Sequence, residues 1–249
     1  MKAGELWSKA LFLLSVPKCV HCKERLDYSD RAFCRKCSAE SLDFKNRSCS
    51  LCARVLSECD CSVSPLRRHG VKRVLKVYRY IPGEKNRLPN SLVFALKQTG
   101  RRDVVMRCAD ELMIAINASG TDFSSYTVTA VPRRRAAVLK YGYDHSAALA
   151  KEIARRLGAT YSPLLRSKSK RAQKKLGGDE RSHNTDFVAR RGAVLGSDRV
   201  LIVDDVITTG ASISAAAKVL KALGASQIVA ASLTIAYRDD QVDFLDSEF

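Results

Sequence analysis

From about residue 71 onward the apolar residues of this chain fall into two rhythms, one of strands and one of helices. Val200-Leu201-Ile202-Val203 is an unbroken apolar run, which reads as a strand covered on both faces, as in a parallel sheet. Ile228–Ile235 reads as a second core strand. Thr127–Val131 is β-branched and ends at Pro132, and Val71–Ile81 alternates basic and apolar residues; both predict strands. Between these, apolar positions recur every three or four residues. Arg87–Gln98 predicts a helix with Leu88, Leu92, Ala95 and Leu96 on one face and Gly100 closing it. Val104–Ile116 predicts a second, with Val105, Cys108, Ala109 and Leu112 inward, which makes Cys108 a core residue rather than a nucleophile. Asp144 caps a third that runs to Leu157 and stops at Gly158. Ser212 opens a fourth, with Ile213, Ala216, Ala217, Leu220 and Leu223 on one face and Gly224 as its stop. Alternating strands and helices predict an α/β fold with a mostly parallel sheet. Arg166–Asn184 is polar, basic and poorly periodic, which predicts a long mobile loop.

Before residue 62 cysteine spacing replaces periodicity. Eight of the nine cysteines lie there, as Cys19/Cys22, Cys34/Cys37, Cys49/Cys52 and Cys59/Cys61. Two such pairs supply the four thiolates of a structural Zn²⁺ site, so two zinc ions are expected. The first four cysteines, with eleven residues between pairs, have zinc-ribbon spacing; the closing C-x-C of the second four is tighter than usual. Crossed pairing, for example Cys19/Cys22 with Cys49/Cys52, is an alternative, and so is a disulfide framework if the chain is secreted. His21 and His69 read as surface residues, because the cysteines already complete two sites. A four-cysteine site has no open position, so this zinc is structural and supplies folding energy to a segment too small for its own core. No apolar run approaches the ~20 residues of a membrane span. Leu11–Val16 is short and reads as part of a helix packed on the body, and a cytoplasmic protein is expected. The expected organisation is a helix and zinc-ribbon module over 1–68, an α/β domain over 69–238 and an acidic tail over 239–249.

Charge adds a polyanionic partner to this picture. The 249 residues carry a net charge of +17. Arg67–Arg107 holds twelve Lys/Arg against two acids, and Arg133–Arg181 holds fourteen against four. The tail from Asp239 has five acids and no base. Such lopsided blocks suit nucleic acid or a phosphorylated substrate.

The chemistry centres on Val203-Asp204-Asp205-Val206-Ile207-Thr208-Thr209-Gly210-Ala211-Ser212. A buried strand runs into two carboxylates and then into a small hydroxyl-rich turn that opens a helix. Backbone N–H groups and the helix dipole there favour a phosphate, and small residues let it approach closely. Paired carboxylates suit sugar hydroxyls and a hydrated Mg²⁺. Together these describe a site for a phosphorylated ribose. Arg133, Arg134 and Arg135 follow a strand's C-terminal end, where arginine forks suit a pyrophosphate. Lys168, Lys170, Arg171, Lys174 and Lys175 lie on the basic loop, which could close over a leaving pyrophosphate or grip nucleic acid. Lys97 ends a helix and reads equally as a site residue or as a complement to the helix dipole. Tyr141 and Tyr143, beside Lys140, suit base stacking.

The Asp204–Ser212 run resembles the 5-phosphoribosyl-1-pyrophosphate (PRPP) motif of type I phosphoribosyltransferases. Taken with the cysteine ribbon, Leu96-Lys97-x-x-Gly100, the Val131-Pro132-basic turn, Arg171-x-Gln173-x-x-Leu176 and Glu180-Arg181-x-x-Asn184, the chain resembles the ComF family from Cys19 to about Ala236. Gly142-Tyr143-Asp144-His145 stands where that family usually has Gly-Phe-Asn-Gln, and Tyr141 stands where it usually has a basic residue. The resemblance implies a phosphoribosyltransferase-like fold and a role in importing single-stranded DNA during natural transformation, alongside a helicase-like competence partner. Two functions are therefore expected to compete. One is a PRPP-binding protein that handles single-stranded DNA; the other is an enzyme that moves phosphoribose from PRPP to a base or amine. In the enzyme Asp204 and Asp205 would be the catalytic pair; in either, Val203, Asp204, Asp205, Thr208–Ser212 and Arg133–Arg135 would bind PRPP.

Overall fold

The unbroken apolar runs form the middle of one parallel sheet. The computed structural model describes residues 16–49, 52–62, 64–84, 86–168 and 187–236. In chain order these form α1 (Arg35–Lys45), a 3-10 turn (Leu56–Glu58), α2 (Ser64–Arg68), β1 (Val71–Arg79), α3 (Leu88–Gln98), α4 (Arg102–Ala118), β2 (Thr127–Ala130), α5 (Arg135–Tyr141), α6 (His145–Leu157), β3 (Thr160–Tyr161), β4 (Leu165–Ser167), β5 (Phe187–Ala189), β6 (Arg199–Ile207), α7 (Ala211–Ala222) and β7 (Gln227–Ile235). The main sheet has the order β1-β7-β6-β2-β3, with every neighbouring pair parallel. A separate antiparallel pair joins β4 to β5. No helix among the described residues is long and apolar enough to cross a membrane.

Successive residues of a strand face opposite sides, which explains why β6 and β7 are apolar throughout. Leu201, Val203, Val229 and Ala231 pack with α3, α4 and α6 on one face. Val200, Ile202, Ile228 and Ala230 pack with α2, α7 and the β4–β5 pair on the other. The helices end as their sequences predict. Asp144 Oδ1 accepts the Ala147 N–H at 3.1 Å to cap α6, and Gly158, at φ +64°, closes it.

The cysteine segment shares this core. Val20, Leu26, Ala32 and Phe33 are buried in the same cluster as α3 and α4. Polar contacts fix the docking. Lys45 Nζ lies 2.9 Å from Glu111 Oε2, and Arg107 lies 2.7 Å from Glu111 Oε1. The Arg107 guanidinium also covers the Phe33 ring at 5.3 Å. Asp103 accepts the Ala32 N–H at 3.0 Å, and Arg31 pairs with Asp110 at 3.1 Å. From Asp103 to Glu111, α4 thus presents charges of both signs to the ribbon.

Three details depart from the pattern-based reading. β1 does not alternate: Val74 to Tyr78 are all buried, Lys76 included. The reason is that the cysteine segment covers the strand's outer edge, where Asp60 O accepts the Val74 N–H at 3.0 Å. Helix α5 has no buried residue, so no apolar face announced it. The expected mobile loop begins with the β4 strand; residues 169–186, with Lys170, Arg171, Lys174 and Lys175, lie outside the described residues, as do the 237–249 tail and Leu11–Ser15.

Glu111→Gln would leave Lys45 and Arg107 without their buried counter-charge. Urea unfolding should show a loss of about 3–5 kcal/mol. A loss near the ~0–1 kcal/mol of a surface pair would mean that the ribbon docks independently of Glu111.

Candidate functional site

β6 carries Asp204 and Asp205 to the C-terminal edge of the sheet, where ligands of open parallel sheets bind. Both side chains are buried. Asp205 points toward α3, α4 and α6. Its Oδ2 lies 2.9 Å from Lys97 Nζ, at the end of α3, and 3.4 Å from His145 Nε2, at the start of α6. Asp204 Oδ1 accepts the Asp205 N–H at 2.9 Å and the Ser146 hydroxyl at 3.4 Å. The two carboxyls therefore behave oppositely. Burial and the neighbouring Asp205 charge push Asp204 well above the usual carboxylate range. Burial acts the same way on Asp205, but the His145 ring and the Lys97 ammonium outweigh it and hold Asp205 below that range. Burial would lower Lys97, yet the Asp205 and Asp204 charges raise it. His145 Nδ1, on the ring edge away from Asp205, is buried with no hydrogen-bond partner among the described residues. Buried polar groups are normally satisfied, so this cluster is suited to a polar ligand.

Thr208 and Thr209 are exposed beyond the acid pair, and Ala211 and Ser212 are half-buried in the first turn of α7. Gly210 is the N-cap, at φ +77°, and contributes no side-chain cap. The Ala211 N–H donates to Thr209 Oγ1 at 3.4 Å, and the N–H groups that follow it in the first turn are the ones a helix start offers to an anion. A side chain at Gly210 would be strained by its φ, and its Cβ would stand 2.9 Å from Leu66 Cδ2 of α2. Leu66 therefore presses the turn into a shape that only glycine adopts. Val203 is fully buried in the core, so its side chain supports the site from beneath.

The arginine trio divides. Arg133 turns inward: its guanidinium covers the Tyr141 ring at 4.5 Å and donates to Tyr143 O at 3.4 Å. Arg134 and Arg135 are exposed at the start of α5. Tyr141 is half-buried beneath Arg133, and the Tyr143 ring packs 3.6 Å from the Cβ position of Gly100. Lys168 is exposed after β4. Lys97 is ion-paired with Asp205 rather than only complementing the end of its helix. His145 is the group that residue-type reasoning missed. Its only sequence signal is that His stands where the resembling family usually has Gln.

The cysteines gather without crossing. The Sγ atoms of Cys19, Cys22, Cys34 and Cys37 all lie within 4.8 Å of one another, and so do those of Cys49, Cys52, Cys59 and Cys61. Cys22 and Cys34 are 3.6 Å apart and Cys52 and Cys59 3.5 Å apart. Thiolates around one tetrahedral zinc stand roughly 3.8 Å apart at a Zn–S length of ~2.3 Å. All nine cysteines are free of disulfides. Both clusters fit a metal such as zinc.

Residues 144–244, which take in α6, β6, the turn, α7 and β7, match the family model of the phosphoribosyl transferase domain. A curated relative, adenine phosphoribosyltransferase 1 of Triticum aestivum, is 40% identical in an alignment of 83 positions that covers 30% of this chain and 42% of that protein. The match thus spans less than half of that relative's length. Among solved structures, adenine phosphoribosyltransferase from Rhodothermus marinus is 22% identical over 55% of this chain and 69% of its own, with a TM-score of 0.35. The enzyme of that name from Thermoanaerobacter pseudethanolicus is 22% identical over 54% of this chain and 80% of its own, with a TM-score of 0.34. These two likenesses are too loose to bear on ligand or activity. The parallel sheet, its flanking helices and the matched domain define a type I phosphoribosyltransferase fold with an added N-terminal cysteine module.

The opposed carboxyls make a signed prediction. Asp204, with a raised folded pKa, favours the folded state at low pH and weakens it as pH rises above the ordinary 3.8. Asp204→Asn should therefore gain stability over wild type as pH rises from about 4 toward neutrality. Asp205, with a lowered pKa, stabilises above its ordinary value and loses that contribution as pH falls. Asp205→Asn should lose stability at neutral pH, because Lys97 and His145 lose their partner. Urea midpoints of both variants from pH 4 to 8 check this; equal shifts in the same direction would refute the opposed assignment.

Proposed function

We propose that the chain binds PRPP at the turn between β6 and α7. The observation that supports this reading is the delivery of Asp204 and Asp205 to the edge of a parallel sheet, directly before an uncapped helix N-terminus. The 5-phosphate would sit on the N–H groups and hydroxyls of Thr208–Ser212. The ribose hydroxyls would meet Asp204 and Asp205, with Lys97 and His145 fixing the Asp205 carboxylate. A protonated Asp204 can donate to a hydroxyl while a charged Asp205 accepts, so the pair suits a diol better than two like charges would. Exposed Arg134 and Arg135, which follow the neighbouring strand, would meet the pyrophosphate. Mg²⁺, when bound there, would neutralise the charge of the leaving pyrophosphate. Loss of pyrophosphate leaves a cation-like ribose carbon, which a charged Asp205 would stabilise electrostatically. The two cysteine clusters are read as structural zinc sites. Binding should stabilise the fold by about 2.7 kcal/mol at a hundredfold excess of PRPP over Kd. Asp204→Asn with Asp205→Asn should abolish that gain in a thermal-shift titration with Mg²⁺. An undiminished shift in the double variant would remove these carboxylates from the site.

The finer reading is a ComF-like role with single-stranded DNA and a helicase-like partner, resting on the family resemblance and the net charge of +17. Stacking on Tyr141 is the weaker part, because Arg133 already covers that ring. Phosphate contacts would give a log–log salt slope of about −0.7 per contact on a single strand. Neutralising Arg134 and Arg135 should flatten the slope. Undetectable single-strand binding at physiological salt, with PRPP turnover against a base or amine, would leave the enzyme reading in its place.

A further inference from the structure

Lys76 lies in the middle of β1 with no exposed surface. A buried ammonium is costly unless its charge and its protons are answered. Its neighbours here are unusual. Nζ lies 3.1 Å from Cys59 O, 3.1 Å from Cys59 Sγ, 3.0 Å from Cys61 O and 3.1 Å from Val74 O. No carboxylate pairs with it among the described residues. The protons are answered by carbonyls, but the charge is faced only by a cysteine sulfur. The Cys61 N–H donates to the same sulfur at 3.4 Å. Cys59 Sγ thus receives an amide N–H and an ammonium.

Four thiolates around one divalent zinc carry a net charge of −2. Placed against β1, such a centre needs a cation, and Lys76 is that cation. Arg54 adds a second from the solvent side, where it lies against Cys52. The first centre is built differently. There Cys19 is approached by the backbone N–H groups of His21, Cys22 and Cys34, and Lys23 turns away to Val20 O at 2.8 Å.

We propose that Lys76 is the fixed counter-charge of the centre formed by Cys49, Cys52, Cys59 and Cys61. Through it, metal at that centre holds the covering segment on the edge of the ligand-bearing sheet. This rests on the zinc reading of that centre. The rest of the segment follows the same edge: Asp60 O accepts from Val74 N at 3.0 Å, Asp60 Oδ2 pairs with Arg73 at 2.7 Å, and Ser62 donates to Val71 O at 2.6 Å. Lys76 touches neither PRPP nor metal; it is a positioning residue.

The test uses the full chain, purified without chelator, and counts zinc by elemental analysis. Wild type should hold two zinc ions. Fewer than two overturns the zinc reading and the proposal together. Lys76→Met, which keeps the apolar stem and removes the charge, should weaken the second site by about 10–100-fold in competition with a chromophoric chelator. The first site should be unmoved. Adding Cys19→Ser and Cys22→Ser to Lys76→Met should remove the remaining tightly held ion. Two ions in Lys76→Met with wild-type competition curves overturn the role of Lys76 alone. Should Lys76→Met fail to fold, amine labelling of wild type with mass-spectrometric readout decides. Lys76 should be protected while two zinc ions are bound and labelled once the second is stripped. Protection that survives the loss of that zinc overturns the proposal.

Discussion

Asp205 keeps a charge where water does not reach it, and it does so because Lys97 and His145 meet it from two different helices. A buried carboxylate without such partners would take up a proton and lose its electrostatic use. The pair of contacts therefore ties three elements to one point. α3 must end where Lys97 reaches the strand outlet, α6 must begin there, and β6 must extend past the core to deliver the acid. Asp204 is the neighbour whose pKa is pushed up, because two adjacent buried carboxylates resist ionising together. Two residues identical in type are thus made electrostatically unlike by what surrounds them.

The helix that follows is shaped by the same requirement for close approach. Gly210 has no side chain, and Leu66 fills the space where one would be. The short α2 helix, remote in sequence, thereby shapes the turn that suits a phosphate. The cysteine module is equally tied in. Its first half buries Phe33 against α4 and answers Glu111 with Lys45, and its second half closes the outer edge of β1. An exposed sheet edge invites pairing with another chain, and the cysteine segment covers this one. Zinc, where bound, would then stabilise the sheet as well as the ribbon.

Much of this was legible in the residues alone, for definable reasons. Unbroken runs such as Val200–Val203 arise only when both faces of a strand are covered, so they report a parallel sheet without any partner being known. The Asp204–Ser212 run stands out because acid pair, turn and helix start are adjacent in sequence. Cysteine spacing shows thiolate sets for the same reason, since two close pairs suffice for a centre. Local signals determined the fold class, the place of the acid pair at a strand's end, the small-residue turn that opens a helix and the α6 cap. Contacts between distant segments were decided by the tertiary structure. Lys76 looks like one basic position in an alternating strand until Cys59 and Cys61 are brought beside it. Lys97 looks like a helix-end charge until β6 presents Asp205. His145 carries no motif, and Arg133 reads as free until Tyr141 lies beneath it. Charge pairing acts through space over a few ångströms, and the chain brings these partners together only by folding.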